Sequence, residues 1–387
     1  MKKWAIFMCL FTTACLEAQP KPDLQSRPSS DFNVEIVADG LNTPWSVAAM
    51  PGGGYLVTEK QGVIKRIWPD GKVDVVTGGP DAIYTEQQAG LFDVTIASDS
   101  TDSLIIYLAY AYGDAKANGT ALYRAVLPHP KTHNGADGLT LTGDDVFRAA
   151  NAKDTASHFG GRIVEMPDKT FILTLGDGFA YREAAQDKSS HLGKIVRLNR
   201  DGSAANDNPF TDQDNIKPEI YSLGHRNVQG AHYDAPTNTL WAHEHGPRGG
   251  DELNLIKAGQ NYGWPTATTG RDYNGARISP FDSYEGMQAP IHDWVPSIAP
   301  SGLVIYRGDM FPEWNGDALV GGLAAKSLRR VDLEQGQAKG EEILLADLNA
   351  RIRDVRVDND GAILLVTNTK KDMEPGGGQL LRITPKN

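Results

Sequence analysis

The sequence predicts an all-β fold that is built from one repeated unit. Short runs rich in Val, Ile, Leu, Tyr and Thr alternate with turns of Pro, Asp, Asn and Gly, and no long stretch shows the 3.6-residue period of a helix. The 41 glycines and 22 prolines favour short strands and tight turns. Similar units begin at Trp45, Gly90, Gly160, Gln229, Ser301 and Ile352. Six units at a spacing of roughly 60 residues predict a six-bladed β-propeller with four-stranded antiparallel blades, and fit it better than a two-sheet sandwich.

The N-terminal segment has the composition of an export signal. Two lysines precede an apolar run, 4–12, which is too short to cross a bilayer as a mature helix. We therefore expect residues 1–18 to be a signal peptide, and the protein to be exported and periplasmic, with no integral membrane segment in its mature chain. Residues 13–15 resemble a bacterial lipobox, which would move cleavage to the bond before Cys15 and anchor the protein by a lipid at that cysteine.

The rest of the chain is predicted to contain a single catalytic domain. Residues 19–32 are expected to form a linker, and residues 33–387 the propeller. Both cysteines, Cys9 and Cys15, lie in the signal segment, so the mature domain relies on its core and not on disulfides. The run 33–40 is expected to pair with the last unit and close the ring, which removes exposed strand edges. The net charge of -11 argues against nucleic acid and anionic lipid surfaces as partners.

Polar residues near the ends of the repeated units should meet at one place. In a propeller the innermost strands line a central channel, and the loops at one end gather over it. The polar positions that this arrangement would bring together are Gln88, His158, Asp177, Arg226, Asn227, Gly246, Pro247, Lys326, Arg351 and Arg353. Four of them are cations in an acidic protein, so the channel is expected to bind a small ligand with several negative charges.

His158 and Asp177 are the predicted general base and its partner. The repeat places Asp177, on the next strand, close to His158. An Asp–His pair fixes the imidazole tautomer and raises its basicity, as a general base requires. The competing interpretation is a structural histidine, which is the commoner role of a single histidine.

The segment 219–265 concentrates the most varied polar groups of the chain. Its centre, EHGPRGGDELN (244–254), places carboxylates on both sides of a Gly-Pro pair. Carbonyl and carboxylate oxygens together suit a hard cation such as calcium. A glycine-rich turn with solvated charges is the alternative.

Together, these motifs resemble the soluble quinoprotein sugar dehydrogenases, of the aldose sugar dehydrogenase type that uses pyrroloquinoline quinone (PQQ). The resemblance extends over about residues 33–385. It rests on eight segments in order, which are QAGLFDV (88–94), HFGGRI (158–163), GHRN (224–227), EHGPRGGDELN (244–254), NYGWP (261–265), PSIAPSG (296–302), the segment around Lys326 and RIRDV (351–355). It implies an enzyme that oxidises aldoses to lactones. The chain has no CxxCH haem motif, so the electrons are expected to pass to a separate acceptor.

The resemblance also implies roles for individual residues. His158 corresponds to the general base, which takes the proton from the anomeric hydroxyl while hydride passes to the quinone, and Asp177 corresponds to the acid that orients it. Arg226 would stabilise the negative charge that develops on the reduced ring. The residues implied to bind PQQ are Gln88, Arg226, Asn227, Lys326, Arg351 and Arg353.

Calcium ligands are implied in the same way. The carbonyl oxygens of Gly246 and Pro247 correspond to ligands of a calcium ion that bridges protein and cofactor. Glu252 and Tyr262 correspond to a second, structural calcium site, with Asp272 as a further candidate in a loop that diverges.

Substrate preference is less closely defined by the resemblance. Trp294 falls where family members place an aromatic wall over the sugar. The longer insertions of the glucose-specific enzymes are absent, so a narrow glucose preference is not expected. Two other functions remain open, which are a calcium-dependent propeller lactonase and a non-catalytic propeller that binds carbohydrate or protein.

Overall fold

The computed structural model describes residues 24–128, 139–150, 152–368 and 376–386. The predicted signal peptide and both cysteines lie outside these ranges. Within them the chain is all-β, with 25 strands, four short 3-10 helices and no α-helix. Nor do the described ranges contain a helix of the length and apolarity that a membrane span requires. The 3-10 helices are Ser29–Asp31, Arg182–Ala185, Pro312–Trp314 and Ala346–Leu348.

Eight of the first ten strands form one large sheet. In chain order the ten strands are β1 (Gln25–Arg27), β2 (Phe32–Leu41), β3 (Pro44–Ala49), β4 (Tyr55–Glu59), β5 (Ile64–Ile67), β6 (Val73–Gly78), β7 (Leu91–Ile96), β8 (Ser103–Gly113), β9 (Asn118–Pro128) and β10 (Thr140–Arg148). The large sheet has the order β3-β4-β5-β6-β10-β9-β8-β7. It consists of two antiparallel runs of four strands, which meet where β6 and β10 pair in parallel with Thr77 opposite Thr140.

The remaining strands form four smaller sheets together with β1 and β2. They are β11 (Gly160–Glu165), β12 (Phe171–Leu175), β13 (Lys194–Leu198), β14 (Ile220–Leu223), β15 (Val228–Asp234), β16 (Thr239–Glu244), β17 (Asp251–Ile256), β18 (His292–Trp294), β19 (Pro300–Ile305), β20 (Ala318–Gly322), β21 (Leu328–Glu334), β22 (Gln337–Leu344), β23 (Arg351–Val357), β24 (Ile363–Asn368) and β25 (Gly378–Pro385). The sheets have the orders β11-β12-β13-β14, β15-β16-β17-β18, β1-β22-β21-β20-β19 and β2-β25-β24-β23.

The first strands of successive runs contact one another in a closed cycle. β3 lies beside β7, and the contacts continue through β11, β15, β19 and β23 back to β3. At the join between the chain ends, β2 pairs antiparallel with β25, and Asn33 lies opposite Thr384. This pairing confirms the prediction that the run 33–40 joins the last unit. The ends of the first strands therefore lie near one another at the centre of the molecule.

Aromatic side chains at equivalent places in neighbouring runs pack against one another. The ring centroids of Trp45 and Phe92 are 5.6 Å apart, and those of Phe92 and Phe159 are also 5.6 Å apart. Gly161 has a φ of +96°, and a Cβ at this position would lie 2.7 Å from the Phe92 ring. The close approach of β11 to β7 therefore requires glycine.

The described part of the expected linker contains a strand and a buried aromatic residue. β1 pairs in parallel with β22, with Gln25 opposite Glu342. Phe32 is buried, and its ring centroid lies 6.2 Å from that of Phe311 and 5.9 Å from that of Trp314. The side chain of Phe32 is thus removed from water by packing against these two rings. Its burial stabilises the attachment of the N-terminal segment to the domain.

A buried ion network joins four of the first strands. Arg162 on β11 lies 3.1 Å from Asp93 on β7 and 3.0 Å from Asp354 on β23, measured between nitrogen and oxygen. Arg356 contacts the same two carboxylates at 2.6 and 3.0 Å. The hydroxyl of Ser46 on β3 donates to Asp93 at 2.5 Å. Two cations and two anions compensate one another, as buried charges require.

Candidate active site

A cavity of about 240 Å³ lies at the N-terminal ends of the first strands. It is lined by eight of the residues that the sequence analysis placed together, namely Gln88, His158, Arg226, Asn227, Gly246, Pro247, Arg351 and Arg353. Lys60 adds a fourth cation to the three arginines, and no carboxylate is present among the described lining residues. A cavity with this lining has a positive potential and suits an anionic ligand.

His158 and Asp177 form a hydrogen-bonded pair at this cavity. His158 precedes β11 and Asp177 follows β12, and because these strands are antiparallel neighbours the two side chains meet. The distance from Nδ1 of His158 to Oδ1 of Asp177 is 2.6 Å. The second carboxylate oxygen accepts a hydrogen bond of 2.7 Å from the indole nitrogen of Trp264. The carboxylate is therefore fixed on both sides, and it fixes the imidazole.

The surroundings of the pair favour a neutral imidazole beside an ionised carboxylate. Burial lowers the pKa of His158 below its ordinary value, and the charge of Arg226 adds to this effect against the opposing hydrogen bond to Asp177. Burial acts to raise the pKa of Asp177, but the hydrogen bond from His158 and the charge of Arg226 outweigh it and lower that pKa. Because a carboxylate only accepts, Nδ1 carries the proton and Nε2 is the basic nitrogen. That arrangement is the one a general base needs.

Arg226 is a buried cation whose guanidinium donates to neutral groups. Its guanidinium donates to the carbonyl oxygens of His245 and Gly246 at 3.0 and 2.9 Å, and it lies 5.3 Å from the ring centroid of Trp264. Its backbone N–H donates to Glu244 at 2.5 Å. Within the described ranges the guanidinium makes no ion pair, although the residue is 4% exposed. Burying a cation without a carboxylate partner costs free energy, and an anion bound in the cavity would offset that cost.

Gln88 and Asn227 hold the segment that carries the base. The side-chain oxygen of Gln88 accepts from the backbone N–H of His158 at 2.9 Å. The side-chain oxygen of Asn227 accepts from the backbone N–H of Gly160 at 3.1 Å. Both side chains line the cavity as well, so each can support His158 and contact a ligand.

Gln229 also lines the cavity, although the sequence analysis did not assign it to the site. The side-chain oxygen of Gln229 accepts from Arg353 at 3.1 Å and is 3.0 Å from Nε2 of His245. Gln229 begins one of the repeated units, just as His158 precedes another. This shared position at the start of a unit could have identified Gln229 from the sequence. Arg351 donates to the carbonyl oxygen of Leu323 at 3.1 Å.

Comparison with known proteins agrees with this geometry. The family model described as Glucose / Sorbosone dehydrogenase matches residues 41–381. The chain belongs to the glucose/sorbosone dehydrogenase family. The aldose sugar dehydrogenase YliI of Escherichia coli (strain K12) is 36% identical to it over 363 residues, which cover 92% of this chain and 93% of the relative.

Solved structures of the family superimpose on nearly the whole chain. The soluble aldose sugar dehydrogenase of Escherichia coli in the apo-form aligns with a TM-score of 0.84 and 34% identity, and covers 92% of this chain and 100% of that one. The PQQ-bound aldose sugar dehydrogenase of Streptomyces coelicolor aligns with a TM-score of 0.74 and 28% identity, over 93% and 100% of the two chains. These matches confirm the resemblance to the soluble quinoprotein sugar dehydrogenases.

In this member of the glucose/sorbosone dehydrogenase family, the residue predicted to contact the sugar and one of those predicted to bind the cofactor lie away from the cavity lining. Trp294 is 4% exposed and donates to Glu341 at 3.0 Å in a second cavity of about 510 Å³. It ends β18, the strand of its sheet farthest from the first strand, and it is not among the residues that line the first cavity. Lys326 donates to Asn349 at 2.9 Å on the surface.

The predicted calcium ligands occupy three separate places. Gly246 and Pro247 line the main cavity, while Glu252 and Tyr262 line a small one of about 10 Å³. Burial, followed by the charge of the neighbouring Glu244, raises the pKa of Glu252 well above its ordinary value. The described residues contain no group of three or more His, Cys, Asp or Glu placed to hold a metal.

Asp272 does not join the other predicted calcium ligands in that small cavity. Its carboxylate lies 3.6 Å from the guanidinium of Arg182 in an exposed ion pair. The reason is its position in a turn at the protein surface, where Arg182 from another loop reaches it.

Proposed function

We propose that this protein is a PQQ-dependent dehydrogenase that oxidises the anomeric hydroxyl of aldose sugars to the lactone. The observation that carries the proposal is the His158–Asp177 pair beside Arg226, a buried cation with only neutral partners in the described ranges. A base and a positive charge without an ion-pair partner among the described residues suit a reaction that removes a proton and places negative charge on a bound acceptor.

The cavity suits an anionic cofactor. Its four cationic residues come from three places in the chain, and no carboxylate lines it among the described residues. We propose that Arg351 and Arg353 bind the carboxylates of PQQ, and that Arg226 and Asn227 contact its quinone edge. Lys326 would join them only if its side chain left Asn349. The same lining disfavours the lactonase alternative, since that enzyme would hold a metal with carboxylates.

Each residue has a defined task in the proposed reaction. When bound, PQQ would supply the acceptor that takes a hydride from the anomeric carbon. His158 accepts the hydroxyl proton at Nε2, and Asp177 stabilises the imidazolium that results. Arg226 stabilises the negative charge that develops next to it. The sugar thus loses one hydride and one proton, which together are two electrons and two protons. A separate acceptor must then remove the electrons from the reduced cofactor.

Calcium is proposed at the turn that carries Gly246 and Pro247. What supports it is that two adjacent residues line the cavity and offer backbone carbonyl oxygens, the type of ligand that suits this ion. The carbonyl of Gly246 also accepts from Arg226 at 2.9 Å, so calcium would share it with that guanidinium. The turn is braced by Asp251, which accepts from the backbone N–H of Gly246 at 2.8 Å and from that of Ile298 at 2.8 Å. A second calcium ion near Glu252 and Tyr262 is likewise proposed.

The fold and the location of the protein complete the proposal. The closed cycle of contacts between first strands supports a six-bladed β-propeller with four antiparallel strands in each blade. Export to the periplasm, with or without a lipid at Cys15, rests on the sequence. N-terminal sequencing and mass measurement of the mature protein would reveal where the chain is cleaved and whether that cysteine carries a lipid.

Reconstitution tests the proposed function directly. The purified protein is incubated with PQQ and calcium, separately and together, and dye reduction is followed with a panel of aldoses. We expect sugar-dependent reduction that requires PQQ, and lactone as the product. Dye reduction that does not respond to PQQ, or lactone hydrolysis in its place, would refute the proposal.

A further inference from the structure

Two exposed aromatic side chains have no task in the proposed reaction: Tyr273 in the cavity lining and Phe179, which contacts Tyr273 and the lining residue His158. Phe179 is 49% exposed and Tyr273 is 59% exposed, and Tyr273 lines the cavity. Their rings are inclined by only 28°, with centroids 6.3 Å apart. Phe179 also meets the imidazole of His158 edge-on, at 5.2 Å between centroids. The pair therefore forms an apolar surface directly beside the base.

The conformation of Phe179 is unfavourable for its residue type. Its φ is +66°, in the left-handed region that bulky side chains avoid. Its backbone N–H donates to Asp177 at 2.8 Å, so the carboxylate that orients the base also holds this conformation. The preceding carbonyl, of Gly178, accepts from the hydroxyl of Thr155 at 2.5 Å. Glycine would satisfy this backbone without strain, so the presence of Phe at this position points to a use for its ring.

The loop that carries Tyr273 is held by two contacts. Its loop is joined to the Gly246–Pro247 turn by the backbone, since the N–H of Arg248 donates to the carbonyl of Arg271 at 2.9 Å. The loop is joined to that of Phe179 by the ion pair between Asp272 and Arg182. Asp272, expected from the sequence to bind calcium, thus links the two loops that carry the aromatic rings.

We infer that Phe179 and Tyr273 form a stacking platform for the sugar ring of the substrate, an inference that rests on the proposed function. One face of a pyranose in which most hydroxyls are equatorial is a patch of C–H groups, and aromatic rings bind such a patch. The hydroxyl groups remain free to bind the polar lining of the cavity. The platform keeps the anomeric hydroxyl within reach of Nε2 of His158, and so selects aldoses that expose an unbroken C–H face.

The rings are better placed for the substrate than for the cofactor. The cations that would hold a polyanion include Arg226 and Arg353, which are buried, whereas both rings are about half exposed. A cofactor that stays bound can be enclosed in the protein, while a sugar that enters and leaves in every turnover must pass the mouth.

Kinetics with glucose as the probe, in protein reconstituted with PQQ and calcium, test the platform. Phe179→Gly removes the ring and relieves the backbone, so we expect KM to rise about fivefold to tenfold at an unchanged kcat. The urea midpoint should stay the same or rise, which separates loss of the ring from loss of the fold. Tyr273→Ala should also raise KM. Phe179→Tyr keeps an aromatic ring, so its KM should stay close to that of the wild type.

Phe281 supplies the matched control. It is 45% exposed and belongs to another aromatic pair, with Tyr284 at 5.0 Å, but unlike Phe179 it contacts neither His158 nor a ring that lines the cavity. Phe281→Ala should leave KM unchanged. Calorimetric titration of glucose into the reconstituted His158→Gln protein, with and without Phe179→Gly, should show weaker binding by the same factor as KM.

Each other outcome overturns the inference in a recognisable way. A fall in kcat at constant KM would mean that Phe179 acts on His158, and weaker PQQ binding would mean that the ring covers the cofactor. Unchanged KM in variants of an active wild-type protein would refute the platform alone. A wild-type protein without sugar-dependent turnover would refute the proposed function and the platform together.

Discussion

Two groups of arginines lie inside this protein in opposite electrostatic surroundings. In the ion network, Arg162 and Arg356 each contact both Asp93 and Asp354. At the cavity, Arg226 is also buried, but its guanidinium donates only to backbone carbonyls among the described residues. A buried cation with a carboxylate partner contributes to the fold, whereas one without such a partner is poised to bind an anion. The difference separates structural charge from functional charge.

Loss of the base should produce the largest effect, and it should be confined to function. His158→Gln keeps a polar side chain but removes the basic nitrogen, so kcat should fall about 10²-fold to 10⁴-fold. PQQ affinity and the urea midpoint should stay close to those of the wild type. The control is His292→Gln, which alters a histidine that contacts a carboxylate, Glu341 at 3.3 Å, outside the main cavity. Normal turnover in the first variant would contradict the role of His158.

Removal of a paired arginine should instead affect the fold. Arg162→Met leaves the carboxylates of Asp93 and Asp354 with only one cation between them. We expect the free energy of unfolding to fall by roughly 3–5 kcal/mol, measured by urea denaturation. Neutralising one carboxylate as well, in Arg162→Met with Asp93→Asn, should recover part of the loss. A single variant as stable as the wild type would show that the network does not hold the strands together.

Removal of Arg226 at the cavity should affect cofactor binding more than the stability of the fold. Arg226→Met should weaken PQQ binding by roughly 2–5 kcal/mol, as judged by titration of the apoprotein, because the bound anion loses its partner. The free energy of unfolding should change far less than in Arg162→Met, since no described carboxylate pairs with this guanidinium. Arg351→Ala should also weaken PQQ binding. Full PQQ affinity in both variants would remove the proposed cofactor site.

The smallest predicted effect concerns His243, which feels the charge of Arg162 in the ion network. Burial, reinforced by the charge of Arg162, lowers the pKa of His243 from 6.5 to about 3. A group with a lowered folded pKa stabilises the protein above its unfolded pKa, because below that value the unfolded chain binds a proton that the folded chain refuses. Its contribution is thus lost as the pH falls from 6.5 toward 3.

Urea denaturation at two pH values measures this contribution. Between pH 6.5 and 5.5 the wild type should lose about 1 kcal/mol more stability than His243→Leu does. His232, whose pKa burial lowers to about 4, remains in both proteins and cancels in the difference. An equal pH dependence in the two proteins would mean that His243 is already protonated in the fold at pH 5.5.

Most of the cavity could be predicted because its residues belong to repeated positions. His158, Arg226 and Arg351 all lie at or just before the start of a strand that begins a unit, and such strands converge in a closed cycle. Trp294 and Lys326 could not be assigned in this way. Trp294 ends the outermost strand of its sheet, and the side chain of Lys326 turns to Asn349.

The amino-acid sequence alone determined the all-β fold, the order of the units and the pairing of the N-terminal run with the last strand, because alternation and turn chemistry are local properties. Only the tertiary structure decided which arginines are compensated, since Asp93 lies 69 residues from Arg162 and on a different strand. It also decided that Phe179 meets Tyr273, which lines the cavity. Burial and distance between remote residues determine the charge state of a site, and neither quantity can be calculated before the chain has folded.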